Sequence, residues 1–367
     1  MMKQRMAISL GLLSLLGSAL QTAEASGFAN EDASAAGVGV ANAMVAGVAD
    51  VSAASYNPAA VAWLDGVDVQ LNTAIELRNA SVVTATGMPF NAGNNYKVQG
   101  FHAIWMPHTS NIGASMALTR PFAAHNAWFG EQTNLEVDRL SLDVVYALSS
   151  TLAVAHGLDM YQSRIQMSQG AATFSGSDRV SFGINVGVNW KPLPFWQVGM
   201  LLRTGSKAKV TNGAQTVNLN LPETLTLGVS HDIEDKFRVE GDLTYTHWSR
   251  LKNLNVQGGA INHALALKNT VSLKTGLTYY WLPNTAFRMG YAYEQAANSA
   301  NQVQPAIMDQ PGHRLSFGMG GNLMGIQVDL AYAYGFFAKQ TASAPAAFAG
   351  NYRNRQQTLA LSLSKKF

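Results

Sequence analysis

A chain of 367 residues has room for two or three soluble domains or one large barrel, but with only 13% charged residues, about half the soluble average, 33 glycines and a mean hydropathy of +0.02 it fits neither a disordered chain nor a helical membrane protein. The net charge of +3 is spread without a basic run, which excludes the usual nucleic-acid surface. There is no cysteine, so disulfides, thiolate zinc sites and lipoprotein acylation are all excluded.

At the start of the chain, Lys3 and Arg5 precede the 15-residue apolar run MAISLGLLSLLGSAL, and AEA ends at Ala25. This charge, apolar and small-residue order predicts a signal peptide over residues 1–25, whose apolar core is too short to span a bilayer. The mature chain then begins at Ser26. No later run is long and apolar enough for a membrane helix, so any crossing falls to strands.

Residues 26–65 lack period-two alternation, are rich in Ala and Gly and carry few charges, a composition suited to close packing in a confined space. Within them GVGVAN misses the third position of a dinucleotide loop and follows no strand, so Gly37 and Gly39 read as tight turns. The stretch ends in ASYNPAAVAWLDG. There Asn57 is placed to cap a turn with its side chain, Pro58 fixes φ, and Ala59 leaves room against a neighbouring surface.

From residue 66 the period is two. In VSFGINVGVNW the residues Val180, Phe182, Ile184, Val186, Val188 and Trp190 share one face, and the other is entirely small or polar. Fourteen strands are predicted, near 66–81, 95–106, 111–122, 134–147, 151–167, 178–190, 196–207, 216–231, 236–248, 269–281, 285–296, 312–322, 325–338 and 356–367. They exceed the soluble norm and match tilted membrane strands. Short connections such as PHTS, LSS, DIED and LPN alternate with long ones over 82–94, 249–268, 297–311 and 339–355, the asymmetry of an outer-membrane barrel. Trp105, Trp190, Trp196 and Trp281 fall at strand ends beside short turns, where an interfacial girdle belongs. The chain ends on Phe367, resembling the signal read by the barrel assembly machinery.

The eight histidines show no HExxH or close paired spacing, so no metal or other cofactor is predicted. A barrel lipase or acyltransferase would need a Ser/His pair near the membrane edge, and nothing marks a nucleophile, so an enzyme is not expected. Arg203, Arg238, Glu240, Asp242 and Arg288 point inward by alternation. They either hold a ligand carboxylate or the N-terminal segment, or pair with one another.

The opening of the mature chain, with Gly27 and Phe28, Glu31, AGVGVANA, ADVSAASYNPA centred on Asn57, Pro58 and Ala59, and Gly66, resembles the FadL family of outer-membrane transporters for long-chain fatty acids and other hydrophobic compounds. IGASMALTRPF and ALSSTLAVAHGLDM extend the resemblance more loosely. It implies an all-β, 14-stranded antiparallel transmembrane β-barrel at 66–367, with 26–65 as a plug, or hatch, in its periplasmic half. It implies ligand capture from outside, a greasy pocket near the mature N-terminus, and sideways exit through a gap at a kink in the third strand. In this chain that strand holds Gly113 and reaches Pro121, which has no N–H for the ladder and reads either as the strand's end or as part of the gap. The expected function is passive transport of long-chain fatty acids or similar hydrophobic molecules. The alternatives are an aromatic or alkane hydrocarbon channel, a general porin or an adhesin. Expected partners are a hydrophobic small-molecule ligand, outer-membrane lipids and the assembly machinery.

Overall fold

Alternation becomes strand, and strands in hydrocarbon close into a ring because every backbone N–H and C=O there needs a partner. The computed structural model describes residues 27–128, 130–298, 306, 307, 309, 310, 312–343 and 348–367; the predicted signal peptide lies outside the described residues. Its strands are β1 (Gly66–Thr84), β2 (Pro89–Met106), β3 (Ile112–Trp128), β4 (Glu131–Ala147), β5 (Leu152–Gln169), β6 (Ala172–Ser177), β7 (Ser181–Leu193), β8 (Trp196–Arg203) and β9 (Lys207–Asn212). They continue with β10 (Gln215–Asn220), β11 (Thr224–Ile233), β12 (Phe237–Thr246), β13 (Thr270–Leu282), β14 (Thr285–Glu294), β15 (Gly312–Leu323), β16 (Ile326–Phe337), β17 (Gln340–Ala342) and β18 (Gly350–Lys366). Setting aside the short β6, β9, β10 and β17, the remaining fourteen pair antiparallel in chain order, and β18 returns to β1 from Asp68 opposite Lys366 to Thr84 opposite Gly350. The expected 14-stranded closed barrel is present.

The barrel's faces are inverted relative to a soluble protein. Phe182, Ile184 and Trp190 of β7 are exposed on the outer wall, whereas Ser181, Asn185 and Asn189 of the same strand are buried inside. Leu71, Trp105, Leu330, Leu359 and Leu363 continue the outward apolar band, which meets lipid.

Three sequence boundaries needed correction. Residues 82–94 are not a long loop: β1 and β2 continue past the apolar band and turn between Ala85 and Met88. Above the bilayer the outward face meets water instead of lipid, so the contrast that reveals a strand in sequence fades while the ladder continues, with Val82 and Tyr352 still buried on the other face. The same holds within 339–355, where β17 and the outer end of β18 lie. The strand expected over 216–231 is two elements: β10 pairs with β9 in a rim hairpin, the chain breaks around Pro222, and the ring resumes at β11.

The N-terminal segment lies inside this ring. Ser34 caps α1 (Ala35–Gly39) by accepting from the Gly37 N–H at 3.0 Å, so Gly37 and Gly39 are helical rather than tight turns. After α2 (Ala53–Tyr56), Asn57 precedes a 3-10 helix over Pro58–Trp63, with Pro58 in the first turn, where its missing N–H costs nothing. The wall meets this segment at backbone distance: a Cβ on Gly199 would overlap the Val45 carbonyl, and one on Gly290 the backbone of Val40 and Ala41. Asp242 of β12 accepts from the Met44 and Val45 N–H groups at 2.7 and 2.9 Å. Asn57 ties both sides together. Its amide donates to the Val45 carbonyl at 2.8 Å and to Val188 of the wall at 2.9 Å, while its oxygen accepts from the Ala59 N–H at 3.2 Å.

Two outcomes follow from this packing. Asn57→Ala strands two buried carbonyls and costs about 1–3 kcal/mol. It is expected to open residues 27–65 to protease while heat-modifiable migration shows the barrel intact, and equal protease resistance would contradict the pinning. Leu71→Arg, on the lipid face near mid-height, is expected to destabilise the barrel by about 2–4 kcal/mol, read as a lower denaturant midpoint for unfolding from lipid vesicles.

Candidate functional site: a cavity beside a break in the wall

The ring's ladder is incomplete at one junction. β2 pairs with β1 along its length but with β3 only from Phe101–Trp105 against Ala114–Leu118. β3 does not stop at Pro121. It continues to Trp128, and its register with β4 shifts between Thr119 and Phe122, so Arg120 and Pro121 form a bulge. Pro121 has no N–H for this ladder, and the bulge turns the strand away from β2 at Gly100. Higher up, Tyr96 of β2 stacks on His125 of β3 with centroids 4.9 Å apart, so the break is a window bounded above and below. Gly113 lies below it, in the part of β3 near the short-turn end.

The freed edge of β3 is occupied from inside by the start of the N-terminal segment. The Asn30 N–H donates to the Pro121 carbonyl at 2.7 Å, and the Ala123 N–H donates to Phe28 at 3.0 Å, with Ala29 opposite Phe122. Phe28 anchors this short pairing. Its ring lies 5.7 Å from Phe122 and 4.6 Å from the fully buried Trp248, in the connection from β12 to β13. That connection folds into the outer half of the lumen, where Leu251, Leu254, Val256 and Ile261 join inward residues such as Leu135, Ile165 and Phe174 in one apolar cluster.

Charged side chains fix the rest of the segment. Glu31 pairs with Lys274 of β13. Asp32 accepts from Arg314 of β15 and from the Asn42 amide, each at 2.8 Å. Burial, with Asp32 nearby, raises the Tyr56 phenol above its ordinary pKa, so it stays a neutral donor, to the Asn42 side chain at 2.8 Å.

The inward arginines pair with acids other than the expected Glu240 and Asp242. Arg203 donates to Asp159 at 2.6 and 2.7 Å and to the Ser55 carbonyl at 3.2 Å. Arg238 pairs with Asp232 at 2.6 Å and touches the Gly47 carbonyl. Arg288 pairs with Asp329 at 2.7 Å. Each is thus neutralised against the wall, and two of the three also hold the segment.

Beside the window, between the segment and the wall, is a cavity of about 120 Å³. Gly100, Thr119, Pro121 and Phe122 line its window side, Val45, Val98 and Leu201 supply apolar surface, and Arg139, Arg203 and Lys274 supply cations. Arg139 differs from the other two. It is 8% exposed, donates to the Thr119 hydroxyl at 3.2 Å, leaves its Nε without a partner, and has no carboxylate in ion-pair range among the described residues. A buried guanidinium without a direct ion pair is costly, and one facing a cavity is a ready donor to an anionic head group.

Sequence reasoning missed Arg139, Lys274 and Trp248. The first two carry a readable signal: each is the lone cation on an otherwise small, polar or apolar inward face, Leu135 to Val145 and Ser272 to Thr278. Trp248 has no such signal, because a tryptophan at a strand end reads as girdle. A Ser/His pair is present, Ser55 Oγ lying 2.7 Å from His102 Nε2. However, His102 is fully buried among the Gln70 and Asn72 amides and lacks a carboxylate to orient it, so the pair does not make a nucleophile. Among the described residues no group of three or more His, Asp or Glu is placed to hold a metal ion.

Residues 191–367 match the family model described as outer membrane protein transport protein (OMPP1/FadL/TodX). Outer membrane protein P1 of Haemophilus influenzae is 25% identical over 262 residues, covering 56% of this chain and 57% of that protein. The long-chain fatty acid transport protein of Escherichia coli is 27% identical over 124 residues, covering 33% of this chain and 27% of that protein. The matched region thus spans about half the length of the first of these relatives and less of the second. In solved structures the architecture is shared over nearly the whole chain. A FadL homologue of Pseudomonas aeruginosa superposes with a TM-score of 0.81 at 18% identity, over 93% of this chain and 100% of the other. The toluene transporter TodX of Pseudomonas putida gives 0.76 at 16% identity, over 93% and 100%. Over residues 191–367 the chain is thus similar to the OMPP1/FadL/TodX outer-membrane transport proteins, it shares their fold, and it is a β-barrel protein of the bacterial outer membrane.

Proposed function

We propose that this protein moves long-chain fatty acids passively across the outer membrane, receiving them in the cavity beside β3 and releasing them sideways through the window between β2 and β3. Arg139 carries the choice of substrate class: a cavity to which Val45, Val98, Phe122 and Leu201 give apolar surface also holds a buried guanidinium whose Nε has no partner. A fatty acid supplies both the apolar chain and the missing anion. Sideways release suits such a ligand, since each CH₂ that enters water rather than lipid costs about 0.8 kcal/mol. In this reading residues 26–65 are the hatch. Asn57, Pro58 and Ala59 are its fixed pivot, Phe28 and Glu31 its moving end, and the strand from Gly113 through Pro121 the side of the exit. Arg203 and Arg238 keep the hatch seated and Arg288 ties wall strands together, rather than holding ligand.

The rival reading is uptake of an aromatic hydrocarbon, supported by the likeness to TodX and by the apolar cluster around Phe28 and Trp248. A neutral ring has no use for Arg139, so one substitution separates the two. In a host lacking its own transporter, this protein is expected to raise uptake of labelled oleate, and Arg139→Gln to cut that uptake roughly 10- to 100-fold, the loss of one buried charge-assisted hydrogen bond. Toluene uptake is expected to be unchanged by Arg139→Gln. No oleate uptake despite correct insertion removes the fatty-acid reading, and equal oleate uptake by the variant removes Arg139 as its basis.

A further inference from the structure

The outer wall is uneven in charge. The arginines of β3 and β5 are matched by acids of β4: Arg120 pairs with Asp138 at 2.8 Å, and Arg164 with the same carboxylate at 3.2 Å. On the other side of the window, the sector from β16 through β18 and β1 to β2 carries Lys97, Lys339, Arg353 and Arg355, all exposed. None of the four takes part in an ion pair among the described residues. β2 and β18 contain no acid, Asp329 of β16 and Glu76 of β1 are buried on the inner face, and Asp68 of β1 stands at the short-turn end, opposite Lys366. Arg353 and Arg355 lie opposite Ser81 and Asn79 of β1. They share one face of β18, about 7 Å apart by strand rise. Lys97 lies across β1, opposite Ile75, and Lys339 precedes Gln340, whose pairing with Tyr352 brings it to the same end of β18. Toward the membrane the same face turns apolar at once, with Phe336 opposite Arg355 and then Tyr332, Leu359 and Ile75 in one exposed row.

Like charges gathered on one surface repel each other until an anion joins them. Here the anion has an obvious carrier, because the cations border the apolar band on which lipid lies. We propose that this patch seats the phosphate groups of an outer-leaflet lipid, whose acyl chains lie on the row of Tyr332, Leu359 and Ile75. The head group's class follows from the missing acids. A zwitterionic head group brings a cation for which this face has no partner, whereas one with two phosphates and no cation suits two guanidinium forks flanked by two ammonium groups. Lipid A, a glycolipid with a phosphate at each end of its head and several chains beneath, has that form. Arg355 is on the last strand and Lys97 on β2, so they stand on either side of β1, roughly 16 Å apart by strand spacing and rise. Two extended side chains and a head group bridge that gap. One bound lipid therefore spans the seam at which the ring closes and holds the last strand to the first two. The site faces lipid rather than the lumen, so it holds whatever molecule the barrel carries.

The full barrel in nonionic detergent, titrated with lipid A and read by native mass spectrometry as lipid bound per barrel, tests the site. Diphosphorylated lipid A is expected to half-saturate at a concentration at least tenfold below that of its fully dephosphorylated form, which has the same chains. Arg353→Gln with Arg355→Gln is expected to raise the half-saturation for lipid A by about tenfold or more, through the loss of charge-assisted hydrogen bonds. Lys207→Gln with Lys209→Gln, which removes two exposed cations of the β9–β10 hairpin outside the patch, is expected to leave it unchanged. Inorganic phosphate at the lipid's concentration is expected not to displace it. Equal binding of the two lipid forms, or unchanged binding by the arginine variant, overturns the phosphate site. An equal loss in the lysine variant reduces the effect to net charge and overturns it too, and displacement by inorganic phosphate overturns the choice of a lipid. Heat-modifiable migration checks that each variant is folded; should the arginine variant fail, Lys97→Gln and the two lipid forms on the unaltered barrel decide.

Discussion

Everything in this molecule is arranged around the need of each backbone amide in hydrocarbon for a partner. Thirteen junctions of the ring meet that need with long ladders, and the one between β2 and β3 does so only over Phe101–Trp105. The outer half of β3 would otherwise present unpaired groups at its edge, one of them relieved by Pro121, which has no N–H to satisfy. The remaining need is met by Phe28 and Asn30 from inside the lumen. The position of the N-terminal segment, the aromatic cluster that holds it and the cavity behind it all follow from that substitution of one partner for another.

The same economy governs charge. A lumen inside a bilayer is polar but not bulk water, so ions there need specific partners. Arg203, Arg238 and Arg288 find theirs on other strands of the wall, and Arg314 and Lys274 find theirs on the segment. Pairs within the wall make the wall rigid, while pairs across to the segment make it a seated but separate body. Arg139 belongs to neither class, and of the cations that line the cavity it is one without a direct ion pair among the described residues.

Much of this was legible in the sequence because the bilayer imposes a strong pattern. Where outward residues meet lipid, as with Phe182, Ile184 and Val186, strand and face are both plain. The pattern weakens where the chain leaves the membrane, so the outer ends of β1, β2 and β18 passed for loops and the β9–β10 hairpin for part of a spanning strand. Pro121 shows a different limit. Its missing donor was visible, but whether a strand ends or bulges there depends on what its neighbours supply, and the partner came from ninety residues away. The cavity cations were hidden for a further reason: alternation says which way a side chain points and nothing of whether an acid waits for it. Asp159 pairs directly with Arg203, and among the described residues Arg139 has no direct ion pair and leaves its Nε unpartnered.

The close fit of segment to wall has a consequence for how such proteins diverge. Gly199 and Gly290 face the backbone of Val45 and Val40 with no room for even a methyl group. A wall glycine can therefore drift to alanine only if the chain lying against it shifts in step, and a segment transplanted from a distant relative would meet a surface cut to another outline. Exposed turns at the rim, such as Ala85 to Met88, are free to vary one at a time. The barrel and its contents must change as a matched set, so new specificity is easier to acquire at the rim than beneath it.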